Sequence, residues 1–272
     1  MEHLNSNNIK RAVIISDLSC FGKCSLTVSL PIISHYGVEA VPLPTALLSN
    51  HTGGFTDYTC LDLSESMNSI ALKWQALDLK FDCIYTGYFS DPKQIEIALE
   101  FIRTFKKPDT LLIVDPVMGD NGSLYTGLNK SFVSGMQKLC SIADIITPNL
   151  TEAALLTELT VHDDPHLILE KLNTKNVVIT GVKHADKIGC KARINGEETR
   201  HYKPYIDRQL HGCGDVFTSA LCGEILSGKD LKTAVINAAE FCDLCIRETD
   251  KEHPYHSYGL RFETALKKWS TL

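Results

Sequence analysis

The sequence predicts an α/β fold: a mostly parallel central sheet with helices on both faces and an antiparallel hairpin at one edge. Two observations predict it. Six short apolar or β-branched runs alternate with longer stretches whose apolar residues recur every three or four positions. Polar residues or glycine follow the same end of each run, the end beyond which parallel sheets bind ligands. With 272 residues, 44% hydrophobic and 22% charged, the chain can bury one large core, so a single domain over 1–272 is expected.

The first run, Ala12-Val13-Ile14-Ile15-Ser16, leads to Asp17 and Ser19, and the second, over 38–43, leads on to Asn50-His51-Thr52. Cys83-Ile84-Tyr85-Thr86 precedes Gly87-Tyr88, and Ile95, Leu99, Ile102 and Phe105 then share one face of a predicted helix. Leu111-Leu112-Ile113-Val114 delivers Asp115 and, five residues on, Asp120. Asp144-Ile145-Ile146-Thr147 runs into Pro148-Asn149, and Asn176-Val177-Val178-Ile179-Thr180 into Gly181, with Leu167, Ile168 and Leu172 marking a helix between them. Alternating residues on either side of Asn195-Gly196 predict the hairpin, because that dipeptide accepts the positive φ values of a tight two-residue turn. Polar and turn residues collect over 119–128 and 189–210, and the second segment is the candidate cover for the ligand crevice.

A net charge of −6 argues against nucleic-acid and anionic-membrane partners, which select basic surfaces. The polar N-terminus lacks the build of a signal peptide and no apolar run approaches the ~18 residues of a membrane span, so a cytoplasmic location is expected. The ten cysteines, scattered through apolar segments, read as reduced thiols without disulfides. Cys20/Cys24 and Cys242/Cys245 have no partner pair at zinc-finger spacing.

The sharpest local signal is His211-Gly212-Cys213-Gly214-Asp215, a glycine-rich turn entering an amphipathic helix. Gly212 and Gly214 let backbone N–H groups approach an anion, the helix N-terminus stabilises charge on a transferred phosphoryl group, and Asp215 can take the proton of an attacking hydroxyl. The competing reading is a plain helix-capping Asp. A carboxylate in this position is expected to have a low pKa. Cys213 between two glycines invites a nucleophile reading, against which stands a small side chain filling space. Asp115, Asp120 and, through water, Glu152 supply the hard oxygen donors that Mg²⁺ on ATP takes, although Glu152 also suits a capping box. Gly223-Glu224-Ile225-Leu226-Ser227-Gly228-Lys229 has Walker A spacing but ends in Asp230 and follows a helix, so Gly228 reads as a helix C-cap.

Along essentially the whole chain these markers resemble the ribokinase-like vitamin kinases, and within them the pyridoxal/pyridoxamine kinases. The resemblance rests on Ser49-Asn50-His51-Thr52-Gly53, Thr86-Gly87-Tyr88, Asp115 to Asp120, Ile146-Thr147-Pro148-Asn149, Val178-Ile179-Thr180 and Gly212-Cys213-Gly214-Asp215. It implies a three-layer sandwich, usually a homodimer, that phosphorylates the 5′-hydroxymethyl group of a B6 vitamer with ATP and Mg²⁺; a requirement for a monovalent cation is left open. Asp215 is implied as the base, with Gly212 and Gly214 in the anion hole beside Cys213. Asp17, Ser19, Asn50, His51, Thr52 and Tyr88 fall on the vitamin side. Asp115, Asp120, Thr147, Asn149, Glu152, Thr180, Gly181 and Gly212 fall on the nucleotide side, the first two and Glu152 with the metal.

Many pyridoxal kinases carry serine where Asp17 stands, and Ser16-Asp17-Leu18-Ser19 is similar to hydroxymethylpyrimidine kinases of thiamine synthesis. An acid at 17 can pair with a ring nitrogen or amine, favouring pyridoxamine or pyridoxine. A protein that only binds pyridoxal phosphate, and more faintly a sugar kinase, remain alternatives. The first is disfavoured because Asp215, its glycines and the Asp115/Asp120 pair are all kept.

Overall fold

A computed structural model of the chain describes residues 9–55, 57–208, 210–251 and 258–271. Eleven strands are β1 (Arg11–Phe21), β2 (Glu39–Asn50), β3 (Cys60–Asp62), β4 (Cys83–Thr86), β5 (Leu111–Val114), β6 (Gly119–Asp120), β7 (Ser123–Leu124), β8 (Ile145–Ile146), β9 (Asn176–His184), β10 (Lys187–Ile194) and β11 (Glu197–Pro204), among the described residues. The helices are α1 (Leu26–His35), α2 (Ser64–Ala76), α3 (Pro92–Phe105), α4 (Lys130–Ser141), α5 (Leu150–Thr157), α6 (Pro165–Lys171), α7 (Cys213–Leu226), α8 (Leu231–Asp250) and α9 (Phe262–Trp269).

Nine strands form one sheet in the order β11-β10-β9-β8-β5-β4-β1-β2-β3. The six from β9 to β2 are parallel, and antiparallel strands close both edges. The strand interiors are apolar on both sides because both faces are covered. Val13 and Ile15 of β1, with Ile84, Leu112 and Val114, pack into a core shared with α2 to α6. Their neighbours Ala12, Ile14, Tyr85 and Ile113 pack into a second core with α1, α7, α8 and α9. Period-two alternation along each strand thus divides the chain's apolar residues between two layers. Among the described residues no helix is long and apolar enough to cross a membrane.

Local chemistry sets the element ends. Asp91, Asn129 and Asp230 cap α3, α4 and α8, their side chains accepting backbone N–H groups of the first turn. The Walker-like segment closes α7 as a Schellman motif: Gly228 lies at φ +98°, its N–H donates to the Ile225 carbonyl, and Lys229 N–H donates to Glu224.

The hairpin pairs Ile194 with Glu197 across Asn195 and Gly196, both at positive φ. The segment 189–210, read as soft and as a candidate cover, is mostly strand: β10 pairs with β9 and β11 with β10, leaving mainly 205–208 as loop, and parts of both strands line the cleft described below. Residues 119–128, read as soft, hold the small β6–β7 hairpin. Two bulges face the carboxyl end of the sheet. One lies in β2 opposite Asp17, between the Ser16–Pro44 and Leu18–Leu47 pairs, and the other in β9 at Thr180-Gly181, where Gly181 takes φ +68°.

Candidate active site

A cleft of about 960 Å³ opens beyond the carboxyl ends of the parallel strands, at the N-terminus of α7. It gathers most of the residues singled out from the sequence. The catalytic turn is shaped by Gly212, the N-cap of α7, which sits at φ +81° with its missing Cβ 2.4 Å from the Lys23 carbonyl oxygen. A side chain there would both clash with backbone and force a left-handed conformation, so glycine is required. Gly214 brings the turn against the nucleotide side: a Cβ there would meet Asp115 Oδ2 at 3.6 Å.

Asp215 interacts with Asp17 on one side and with Asp115 on the other. Its pKa is raised to about 7, by burial first and then by the negative charge of Asp17, against the pull of the Ser25 backbone N–H. The expectation of a low pKa is therefore overturned. Removal of the carboxylate from water outweighs what the end of a helix offers.

On the wall built by β5, β8 and α5 the polar side chains hold backbone. Glu152 accepts from the Met118 N–H at 3.1 Å and the Asn149 N–H at 2.8 Å, and Asn149 accepts the Glu152 N–H in return, a capping box at the start of α5. The Asn149 amide also donates to the Gly119 carbonyl. Burial still pushes the Glu152 carboxyl up to about 8 and the Asp115 carboxyl well above the usual range, the latter assisted by the charges of Glu152 and Asp215. Thr147 and Thr218 share a hydrogen bond at 2.9 Å, with Thr218 turned to Asp115 at 3.4 Å. Thr180 ties to Pro148 by its N–H, and Asp120 is exposed at the cleft rim, bonded to Asn121.

No described cation offsets the buried charge of Asp115 and Glu152. The cleft's Lys203 and Arg208 are paired with Glu240 and Asp250, and Lys183 leans on Tyr205. An excess of hard carboxylate oxygens fits a Mg²⁺ carried in with a nucleotide. No three His, Cys, Asp or Glu side chains among the described residues form a ready-made metal site.

On the other side Asp17 is 4% exposed and accepts the Ser19 hydroxyl at 2.8 Å. Burial raises its pKa against the pull of Ser25 and Ser19. Thr52 and Tyr88 line the cleft, and the Tyr88 phenol is pushed up to about 12 by burial and by Asp17.

His51 also lines the cleft, but both its ring nitrogens are occupied: Nδ1 accepts the Gly53 N–H at 3.1 Å, so Nε2 carries the proton toward the Tyr258 carbonyl, 3.1 Å away. The ring fills the space beside Gly22, where a Cβ would lie 1.9 Å from it. His51 is thus a brace between loops. Asn50 does not line the cleft; its amide holds the His51 and Asp57 carbonyls.

Sequence reasoning missed Ser25, whose hydroxyl faces Asp17 and whose N–H faces Asp215, at a strained φ of 54° and ψ of −131°. Its only local signal was its place just before α1. Lys183, Lys203, Tyr125 and Cys24 were likewise missed, because nothing in their sequence neighbourhood marks the cleft they line.

A protein of Bacteroides thetaiotaomicron similar to phosphomethylpyrimidine kinases, in a crystal form with pyridoxal, superposes with a TM-score of 0.90 at 36% identity over 97% of this chain and 96% of that one. Pyridoxal kinase from Lactobacillus plantarum gives 0.89 at 29% identity, covering 96% of both. The fold is therefore ribokinase-like and the chain is an ATP-dependent phosphotransferase. More narrowly, the phosphomethylpyrimidine kinase family model matches residues 29–259, and the chain belongs to that family. The hydroxymethylpyrimidine/phosphomethylpyrimidine kinase of Haemophilus influenzae is 28% identical over 254 residues, 88% of this chain and 92% of that protein.

Proposed function

We propose that the chain transfers the γ-phosphoryl group of ATP to the 5′-hydroxymethyl group of a B6 vitamer, giving pyridoxal 5′-phosphate or its analogues. The observation that carries this is the position of Asp215, at the N-terminus of α7 and within electrostatic reach of Asp17 on one side and Asp115 on the other. A hydroxyl held between these two sides gives its proton to an Asp215 oxygen as its own oxygen attacks the γ-phosphorus, and the bond from that phosphorus to the β,γ-bridging oxygen breaks, ADP leaving. The N–H groups of the Gly212 to Asp215 turn then stabilise charge on the transferred phosphoryl oxygens.

A carboxyl titrating at about 7 is matched to general-base work near neutral pH. Asp115, with Asp120 at the rim and Glu152 through water, would hold Mg²⁺, whose chemistry is to neutralise charge between the β- and γ-phosphates. Asp17, buried with hydroxyl partners, favours a substrate that brings a positive N–H group, a ring nitrogen or an amine. The reading also includes a homodimer, which sedimentation would test.

The B6 assignment is supported by the Ser49 to Gly53 marker and by the likeness to the Bacteroides protein crystallised with pyridoxal. Hydroxymethylpyrimidine is the second reading, favoured by Asp17 and Ser19 on the first strand and by the family match. Incubating the chain with Mg·ATP and, separately, pyridoxal, pyridoxamine, pyridoxine and hydroxymethylpyrimidine decides between them. Phosphorylated B6 vitamers, absent with Asp215→Asn, are the expected result; product from hydroxymethylpyrimidine alone would move the substrate to the pyrimidine.

A further inference from the structure

Four cysteines line the cleft, Cys24, Cys190, Cys213 and Cys242; Cys190 stands on β10, and Cys213 belongs to the turn that carries Asp215. Cys213 opens α7 between the two glycines and is half-buried, its Sγ 3.9 Å from the Leu210 carbonyl. Cys242, midway along α8 and also half-buried, places its Sγ 3.7 Å from the Cys213 carbonyl oxygen. With the Cys213 carbonyl as its hydrogen-bond acceptor, the Cys242 thiol lies close enough to the Cys213 thiol to interact with it, and that interaction, with burial, holds its proton on. Cys24 interacts with Cys213 only through space.

Proximity alone is not the point. Cys83 and Cys222 have sulfurs 3.7 Å apart but are wholly buried in the core, where no oxidant enters. The Cys213/Cys242 pair is the one that adjoins both the solvent-filled cleft and the turn bearing Asp215.

We propose that Cys213 and Cys242 are a reversible oxidation site, joined as a disulfide by hydrogen peroxide entering through the cleft, and that joining them switches phosphoryl transfer off. The Cys213 sulfur attacks one peroxide oxygen and the O–O bond breaks. Cys213 becomes a sulfenic acid, and the second oxygen leaves as water with the thiol proton. The Cys242 sulfur then attacks the Cys213 sulfur, and its proton departs with the sulfenic hydroxyl as a second water. Two thiols and one peroxide thus give one disulfide and two waters, two electrons passing from sulfur to oxygen.

To bond, the two sulfurs must close to about 2.05 Å. The helix α8 is anchored by Phe241 and Cys245, both wholly buried, so the movement falls on the glycine-flanked turn. A shift of about 1 Å there displaces Asp215 and its N–H neighbours, enough to lower the rate about 100-fold. This consequence rests on the proposed role of Asp215; the covalent link does not.

The test treats the full chain with hydrogen peroxide and maps its peptides without reduction. The expected map links the Cys213 peptide to the Cys242 peptide, phosphorylation of pyridoxal falls about 100-fold, and dithiothreitol restores both. Cys242→Ser, and equally Cys242→Ala, should keep the untreated activity and lose little of it to peroxide, while Cys24→Ser should behave as the parent. No link, a link from Cys213 to Cys24, or equal inactivation of the Cys242 variants would overturn the proposal. If no B6 vitamer is phosphorylated before treatment, the substrate reading fails, and the peptide map still decides the disulfide.

Discussion

On the wall of the cleft built by β5, β8 and α5, polar side chains secure backbone: Glu152 and Asn149 satisfy one another's N–H groups and those of Met118 and the Gly119 carbonyl. On the opposite wall, built by β1 and the start of α7, Asp17 is buried and Asp215 half-buried, with little to satisfy them beyond Ser19 and Ser25. Both walls carry carboxyl groups with raised pKa values, so burial alone does not separate them. The difference lies in hydrogen bonding. Glu152, with the backbone N–H groups of Met118 and Asn149, shapes the site, while Asp215, held by the Ser25 N–H, and Asp17, held mainly by hydroxyls, are available for a proton or a substrate cation.

The largest expected effect comes from removing the freest acid. Asp215→Asn should lower kcat by about 10²–10⁴-fold while leaving the Kd for ATP unchanged, as steady-state rates and calorimetry would show. A loss below tenfold would make the two walls equivalent and Asp215 a capping residue.

Glu152→Ala should act on stability instead. It leaves buried N–H groups of Met118 and Asn149 without an acceptor, at a cost of about 2–4 kcal/mol in urea unfolding. A variant as stable as the parent but unable to turn over would leave Glu152 only its proposed place at Mg²⁺.

The pH dependence sharpens the contrast further. The base form of Asp215 is needed, so kcat/KM should rise through about pH 7 and level off above it. Asp17→Asn removes a negative neighbour and should move this limb to lower pH; a limb that stays in place would dissociate the two acids.

Stability runs the other way. The folded state keeps the Asp215 proton up to about 7, against an ordinary value of 3.8, so its contribution is complete below the ordinary value and lost as pH rises through 7. The Tm of the ligand-free chain should therefore fall between about pH 4 and 7 and level off above that, and Asp215→Asn should flatten that slope.

The smallest effect belongs to Ser25. Its φ of 54° and ψ of −131° strain any residue with a Cβ, so Ser25→Gly should gain about 1 kcal/mol in stability. The same change removes the hydroxyl facing Asp17 and should shift the ratio of kcat/KM values among B6 vitamers. A destabilised Ser25→Gly would mean that the hydroxyl outweighs the strain.

Much of this architecture was legible in the sequence. The β5 run Leu111-Leu112-Ile113-Val114 became a strand of those bounds, the Asn195-Gly196 turn set the hairpin register, and Gly228 closed α7 as the C-cap read against the Walker-like spacing. These features are encoded in neighbouring residues, through apolar period, φ preference and capping. The gathering of Asp17, Asp115 and Asp215 was legible as well, although Asp17, read as following the first strand, lies within β1, which runs on to Phe21, while Asp115 follows β5 and Asp215 the glycine turn.

Tertiary packing alone decided the rest. It inverted the titration of Asp215, occupied both nitrogens of His51, drew Asn50 away from the cleft and laid residues 189–204 into the sheet edge. It also set Cys242 against Cys213 from a different helix. The physical reason is common to all five: desolvation and side-chain contacts depend on groups far apart in the chain, which acquire neighbours only when the layers close, whereas strands, turns and caps follow from local backbone preference and periodicity.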